Sequence, residues 1–155
     1  MHLCRLVYYS KYNMNSRGDA LAKDLKQILA SSIRDNSDRG ITGGLIFNRK
    51  FFAQVLKGGH AAVTQTFVRI NADPRHKDIV LAEMEPVSER LFGAWAMGYA
   101  GDTELFKKLC AEHGHAGGFE PKCMSGPDLI AFILALVTNE EGFASSQKIA
   151  EAQPE

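Results

Sequence analysis

Residues 41–57 read ITGGLIFNRKFFAQVLK. Two runs rich in β-branched and aromatic residues, 41–48 and 51–57, flank a tight turn at Arg49, a pattern that predicts an antiparallel hairpin. Strand side chains alternate between faces, so Phe52, Gln54 and Leu56 share one side, and Gln54 stands in an apolar row. A buried amide left unpaired costs about 1–3 kcal/mol, and its oxygen and NH2 offer both acceptor and donor sites. Something polar must therefore meet Gln54 inside the fold. It could be a backbone group, the hydroxyl of Tyr8, or a group from outside the chain.

Outward from the hairpin, residues 3–10 (LCRLVYYS) read as a strand whose Leu6, Tyr8 and Ser10 share a face. Residues 19–34 predict an amphipathic helix with Leu21, Leu25, Ile28 and Leu29 on one stripe. Steps of four carry that stripe on to Ser32 and Asn36, so its end turns polar, which suits a grip on a polar group better than a core contact. After the hairpin, a helix over 62–72 buries Val63, Phe67 and Ile70 and stops at Pro74. Residues 78–86 and the short segment 94–99 complete five strands. The order βαββαββ predicts an α+β fold of the ferredoxin-like kind, a mixed sheet with two helices on one face and a C-terminal helical appendage.

The 155 residues, 45% of them hydrophobic, suit one domain of about 1–100 with an appendage over 101–140 and a polar, disordered tail over 141–155. Eighteen basic residues balance eighteen acidic ones without a basic run, which argues against a nucleic-acid partner. The N-terminus lacks the layout of a secretory signal, and three cysteines without paired spacing suit a reducing compartment. A cytoplasmic protein without a membrane span is expected.

In the appendage, helices are expected over 103–113 and 128–139, joined by a loop with Gly and Pro. The second, DLIAFILALVTN, is apolar almost all round yet shorter than the roughly 20 residues a bilayer needs. It must lie under the domain or against another subunit or partner, and the latter, as a homo-oligomer contact, is the expectation. Cys110, His113, His115 and Cys123 carry zinc-ligating atoms at a spacing that fits no common framework, so no metal is expected. Gly40, Gly43 and Gly44 open a strand rather than a helix, which points to close strand packing and not a phosphate loop. Arg69 and Asp73, four apart on a helix, read equally as a surface pair or as ligand contacts.

Taken in order, the segments LVYYS with Tyr8, the Asn36 to Thr42–Gly43 spacing, FFAQVLKG, FVRINADPRH and RLFGAWAMG resemble the BLUF family of flavin-binding blue-light sensors over residues 3–99. The resemblance implies FAD, or else FMN or riboflavin, held between the two helices. It implies contacts from Tyr8, Ile28, Ser32, Asn36, Gln54, Arg69, Ile70, Asp73, His76 and Met97. It implies a photoreceptor rather than an enzyme, in which light drives an electron and a proton from Tyr8, Gln54 exchanges its hydrogen bonds, and Trp95 and Met97 pass the change through the appendage to a separate effector protein.

Two positions depart from the family pattern. Lys57 stands where a glutamate is usual, on the strand parity opposite to Gln54, and Asp35 stands beside Asn36. Two other classes can share the fold. An acylphosphatase-like hydrolase would need a glycine-bounded phosphate cradle where this chain has KYNMNSRGD, and an RNA-binding sheet would need exposed aromatics in a basic surround. A flavin-free adaptor is the third alternative.

Overall fold

The computed structural model describes residues 2–13, 19–88, 98–100, 104–112 and 118–137. Its centre is a five-stranded mixed sheet of order β4-β1-β3-β2-β5, built from β1 (Leu3–Tyr12), β2 (Thr42–Phe47), β3 (Phe51–Gly59), β4 (His76–Val87) and β5 (Gly98–Ala100). The first four strands pair antiparallel, and β5 runs parallel to β2. The expected α+β architecture is the one found.

The hairpin forms as its sequence requires. Arg49 takes a positive φ of 76°, and the Asn48 side chain accepts the Phe51 amide at 2.8 Å to close the turn. At Gly43 any Cβ would overlap the Val55 carbonyl, so only glycine lets β2 approach β3. The first helix, α1 (Asp19–Arg39), runs five residues past its expected end at residue 34. The polar run DNSDR does not stop it. Gly40 does, in the left-handed region at φ 69°, while the Ile41 amide returns to the Asn36 carbonyl at 2.8 Å. Asn36 is thus a helix residue, carried on the stripe that begins at Leu21.

The second helix, α2 (His60–Ala72), lies with α1 on one face of the sheet. Their shared core joins Cys4, Leu6, Tyr8, Phe52 and Leu56 of the strands to Ile28, Leu29 and Val63 of the helices. The opposite face carries the appendage, α3 (Glu104–Glu112), one 3-10 turn (Pro121–Cys123) and α4 (Gly126–Val137). Val7, Ala53 and Val55 of the sheet meet Phe106, Phe119, Leu129, Phe132, Ile133 and Leu136 there, with the Phe119 and Phe132 rings stacked at 5.4 Å. Each large α4 side chain buried this way contributes about 1.5–3 kcal/mol.

That packing places α4 under its own domain, one of the two placements its composition left open. All the large residues of α4 but the half-buried Leu134 are buried, and the exposed positions hold Pro127, Asp128, Ala131 and Ala135. The polar tail over 141–155 lies outside the described residues.

Strand β4 begins two residues earlier than expected and carries two bulges against β1. Leu6 pairs with Met84, Tyr8 with Leu81, and Tyr12 with His76, so an extra residue enters β4 at each slip. The second slip coincides with Asp78, which takes a positive φ of 51°. Pro86 sits on this edge strand, where a missing amide costs no ladder bond.

Candidate functional site

A cleft of about 150 Å3, open to solvent at its mouth, lies between α1, α2 and the sheet. From α1 come Ile28, Ser31, Ser32, Asp35 and Asn36, and from α2 Thr66, Arg69 and Ile70. Both sets follow the helical spacing that puts one face towards the cleft. The sheet floor supplies Tyr8, Gln54 and His76, and the turn after α2 supplies Asp73 and Arg75.

On the floor, Tyr8 and Gln54 are direct cross-strand partners in the β1–β3 ladder. Register alone places their side chains side by side. The Tyr8 hydroxyl donates to Gln54 Oε1 at 2.5 Å, and both residues are almost fully buried. The polar partner that Gln54 required is thus in part the tyrosine. Burial, and after it the Asp73 carboxylate, push the Tyr8 phenol well above its usual range. It stays a donor at every physiological pH. Phe67 packs on one side of the Tyr8 ring at 5.5 Å and His76 on another at 6.2 Å.

The rim is charged but balanced. Asp73 is held in a forked pair by Arg75, with contacts of 2.7 to 3.2 Å from the guanidinium and 2.9 Å from the backbone amide. Burial would raise the Asp73 carboxyl, but the Arg75 bonds and charge outweigh it and hold it below its ordinary value. Arg75 in turn is raised, first by the Asp73 bond. His76 is driven down to about 4, mainly by burial, with Asp73 opposing and Arg75 reinforcing, so the imidazole is neutral at pH 7. Arg69 donates to Thr66 Oγ1 at 3.3 Å rather than to Asp73, so the surface pair read as an alternative in the sequence does not form.

The structure brings Tyr8, Ile28, Ser32, Asn36, Gln54, Arg69, Ile70, Asp73 and His76 into this one cleft. Met97 and Trp95 lie outside the described residues. Ser31, Thr66 and Arg75 were not singled out from sequence, although Ser31 follows Ile28 and Thr66 precedes Ile70 at helical spacing. Arg75 is harder to foresee, because its role depends on the chain doubling back at Pro74. Asp35, noted beside Asn36, also lines the mouth. Lys57 is buried on the sheet's other parity, between Arg5 and Thr42 of the neighbouring strands.

Chemically the cleft is apolar across its width, between Ile28 and Ile70, and polar along its floor, where amides and hydroxyls offer both donors and acceptors. A flat conjugated ring with one polar edge fits that distribution. A metal ion does not, since no cluster of His, Cys, Asp or Glu among the described residues could hold one. Cys110 is buried, Cys123 is exposed, and His113 and His115 fall outside the described residues. No helix among the described residues is long and apolar enough to cross a membrane.

Comparison with known proteins points the same way. The family model described as "BLUF: Sensors of blue-light using FAD" matches residues 3–98. Photoactivated adenylate cyclase subunit beta of Euglena longa is 35% identical over 83 residues, which make up 53% of this chain and 10% of that protein. The chain thus spans about a tenth of the length of the curated relatives it matches. Among solved structures, BlsA in its photo-activated state superposes with a TM-score of 0.78 at 28% identity, over 89% of this chain and 96% of the other. BlrB in its dark state does so with a TM-score of 0.71 at 30% identity, over 86% and 96%.

Proposed function

Given that this chain belongs to the BLUF family of blue-light sensors using FAD, we propose that its cleft binds FAD through the residues named above and that Tyr8 and Gln54 are the switch. The observation that carries this reading is the buried 2.5 Å bond between Tyr8 and Gln54 on the floor of a cleft with apolar walls. A bound flavin would supply blue-light absorption and a one-electron acceptor. Ile28 and Ile70 would face the two sides of the ring, Asn36 and Gln54 would meet its polar edge, and Arg69 would serve the mouth, where Asp35 offsets its charge.

Tyr8 acts as the donor of both electron and proton. Its phenol holds its proton firmly in the resting state. Loss of an electron from the ring makes the hydroxyl strongly acidic, and the nearest acceptor is Gln54 Oε1. Both electron and proton return to Tyr8 at the end of the cycle. What persists is the orientation of Gln54, because half a turn about its terminal bond exchanges the oxygen for the NH2 and so exchanges an acceptor for a donor. A stored change of one hydrogen bond becomes a signal only if it biases a second element.

That element is the appendage. Gln54 lies between Ala53 and Val55 on β3, and both of these pack into the α4 core on the far face. A shift of the β3 backbone at Gln54 therefore reaches α4 directly, and from there, we infer, a separate effector protein.

The test is the visible spectrum of the purified protein before and after blue light. A flavin spectrum that moves slightly to the red and returns in the dark is the expected result. Protein that stays colourless after incubation with FAD contradicts the reading and favours a flavin-free adaptor.

A further inference from the structure

Tyr8 has one polar tie at its tip, and its ring is fixed only by what packs against it. Phe67 and His76 are the aromatic rings that meet it among the described residues. The imidazole itself is tightly held. Ser10 Oγ lies 2.7 Å from His76 Nδ1, both side chains are buried, and the ring rests at 4.6 Å on Phe52. Ser10 follows Tyr8 by two positions on the same strand face, so backbone, hydrogen bond and ring contact close a loop of restraints through Tyr8, Ser10 and His76.

The fold invests backbone strain in this arrangement. Continuing the unbroken register of Leu3 to Val7 along β4 would set Asp78 opposite Tyr12, and the first bulge alone would set Lys77 there. The second bulge, at the positive φ of Asp78, delivers His76 instead. A non-glycine residue in that region is uncommon, and it marks positions that the surrounding structure over-determines.

We propose that Ser10 and His76 are positioning residues for Tyr8: the hydroxyl sets the tautomer and tilt of the imidazole, and the imidazole edge sets the direction in which Tyr8 points its hydroxyl at Gln54. The tautomer matters because Ser10 occupies Nδ1 and so decides whether Nε2 donates or accepts. This inference rests on the reading of Tyr8 and Gln54 as the switch and adds two residues that act through Tyr8.

The test uses Ser10→Ala, His76→Phe and the double variant of the full chain. The double variant replaces a hydrogen-bonded pair with an apolar one, which preserves folding even where Ser10→Ala alone leaves a buried nitrogen unpaired. In flavin-loaded protein, each single change is expected to alter the dark-recovery rate about fivefold and the double no further, the non-additivity of residues acting as a unit. Ser10→Thr, which keeps the hydroxyl, should restore the wild-type rate. In flavin-free protein, nitrogen NMR of the His76 ring should report one tautomer in the wild type and a mixture in Ser10→Ala, with the Tyr8 ring resonances displaced.

Additive single effects, or rates within about twofold of wild type, would overturn the pairing. Unmoved His76 and Tyr8 resonances in flavin-free Ser10→Ala would do the same. Failure of the wild type to take up flavin would instead remove the functional reading, and the flavin-free spectra would still decide whether the pair holds Tyr8.

Discussion

The two faces of the sheet are made from alternate residues of the same strands, yet they are built to opposite rules. Val7, Ala53 and Val55 look towards α4 into an apolar core closed by Phe119, Phe132 and Ile133. Their neighbours Tyr8 and Gln54 look the other way, onto a cleft floored with hydrogen-bonding groups and lined by Ser32, Asn36 and His76. Apart from Lys57, buried between Arg5 and Thr42, the first face is built of apolar groups, whereas the second carries buried hydrogen-bonding groups. Because the faces share a backbone, Gln54 of the cleft is bonded directly to Ala53 and Val55 of the α4 core.

Breaking the polar face should have the largest functional effect and a modest structural one. Gln54→Leu should abolish the light-induced spectral shift altogether, while the unpaired Tyr8 hydroxyl lowers stability by about 1–3 kcal/mol in urea unfolding. On the opposite face the balance should invert. Phe132→Ala should cost about 3–5 kcal/mol, read by the same unfolding, and leave the size of the spectral shift in the folded protein unchanged.

Acid should act on the cleft face first. His76 titrates at about 4 in the folded chain against about 6.5 unfolded. The unfolded chain therefore binds more protons between these values, and stability falls as pH drops from 6.5 towards 4, by about 3 kcal/mol. Asp73, held below its ordinary value, adds a loss of the same sign at still lower pH. Thermal unfolding across that range measures both. The smallest effect belongs to the surface. Lys107→Ala breaks an exposed pair with Glu104 and should change stability by less than about 0.5 kcal/mol.

What could be read from the sequence was whatever a single element carries within itself. The alternation around Gln54, the polar end of the Leu21 stripe and the stop at Pro74 are local patterns, and each led to a residue that now lines the cleft. Features that depend on two elements meeting were not legible. The covering of α4 by the sheet depends on where the chain returns after β5, and composition could not separate a helix buried in its own domain from one awaiting a partner. The pairing of Arg75 with Asp73 needs the turn at Pro74. The place of His76 opposite Tyr12 needs two bulges, since an unbroken register would have put Asp78 there.

The most direct test of the switch is the light-minus-dark absorption difference of flavin-loaded wild type beside Tyr8→Phe. The proposed mechanism predicts a reversible red shift in the wild type and none in Tyr8→Phe, which keeps the ring but loses the proton and the bond to Gln54 Oε1. A full-sized, reversible shift in Tyr8→Phe would contradict it.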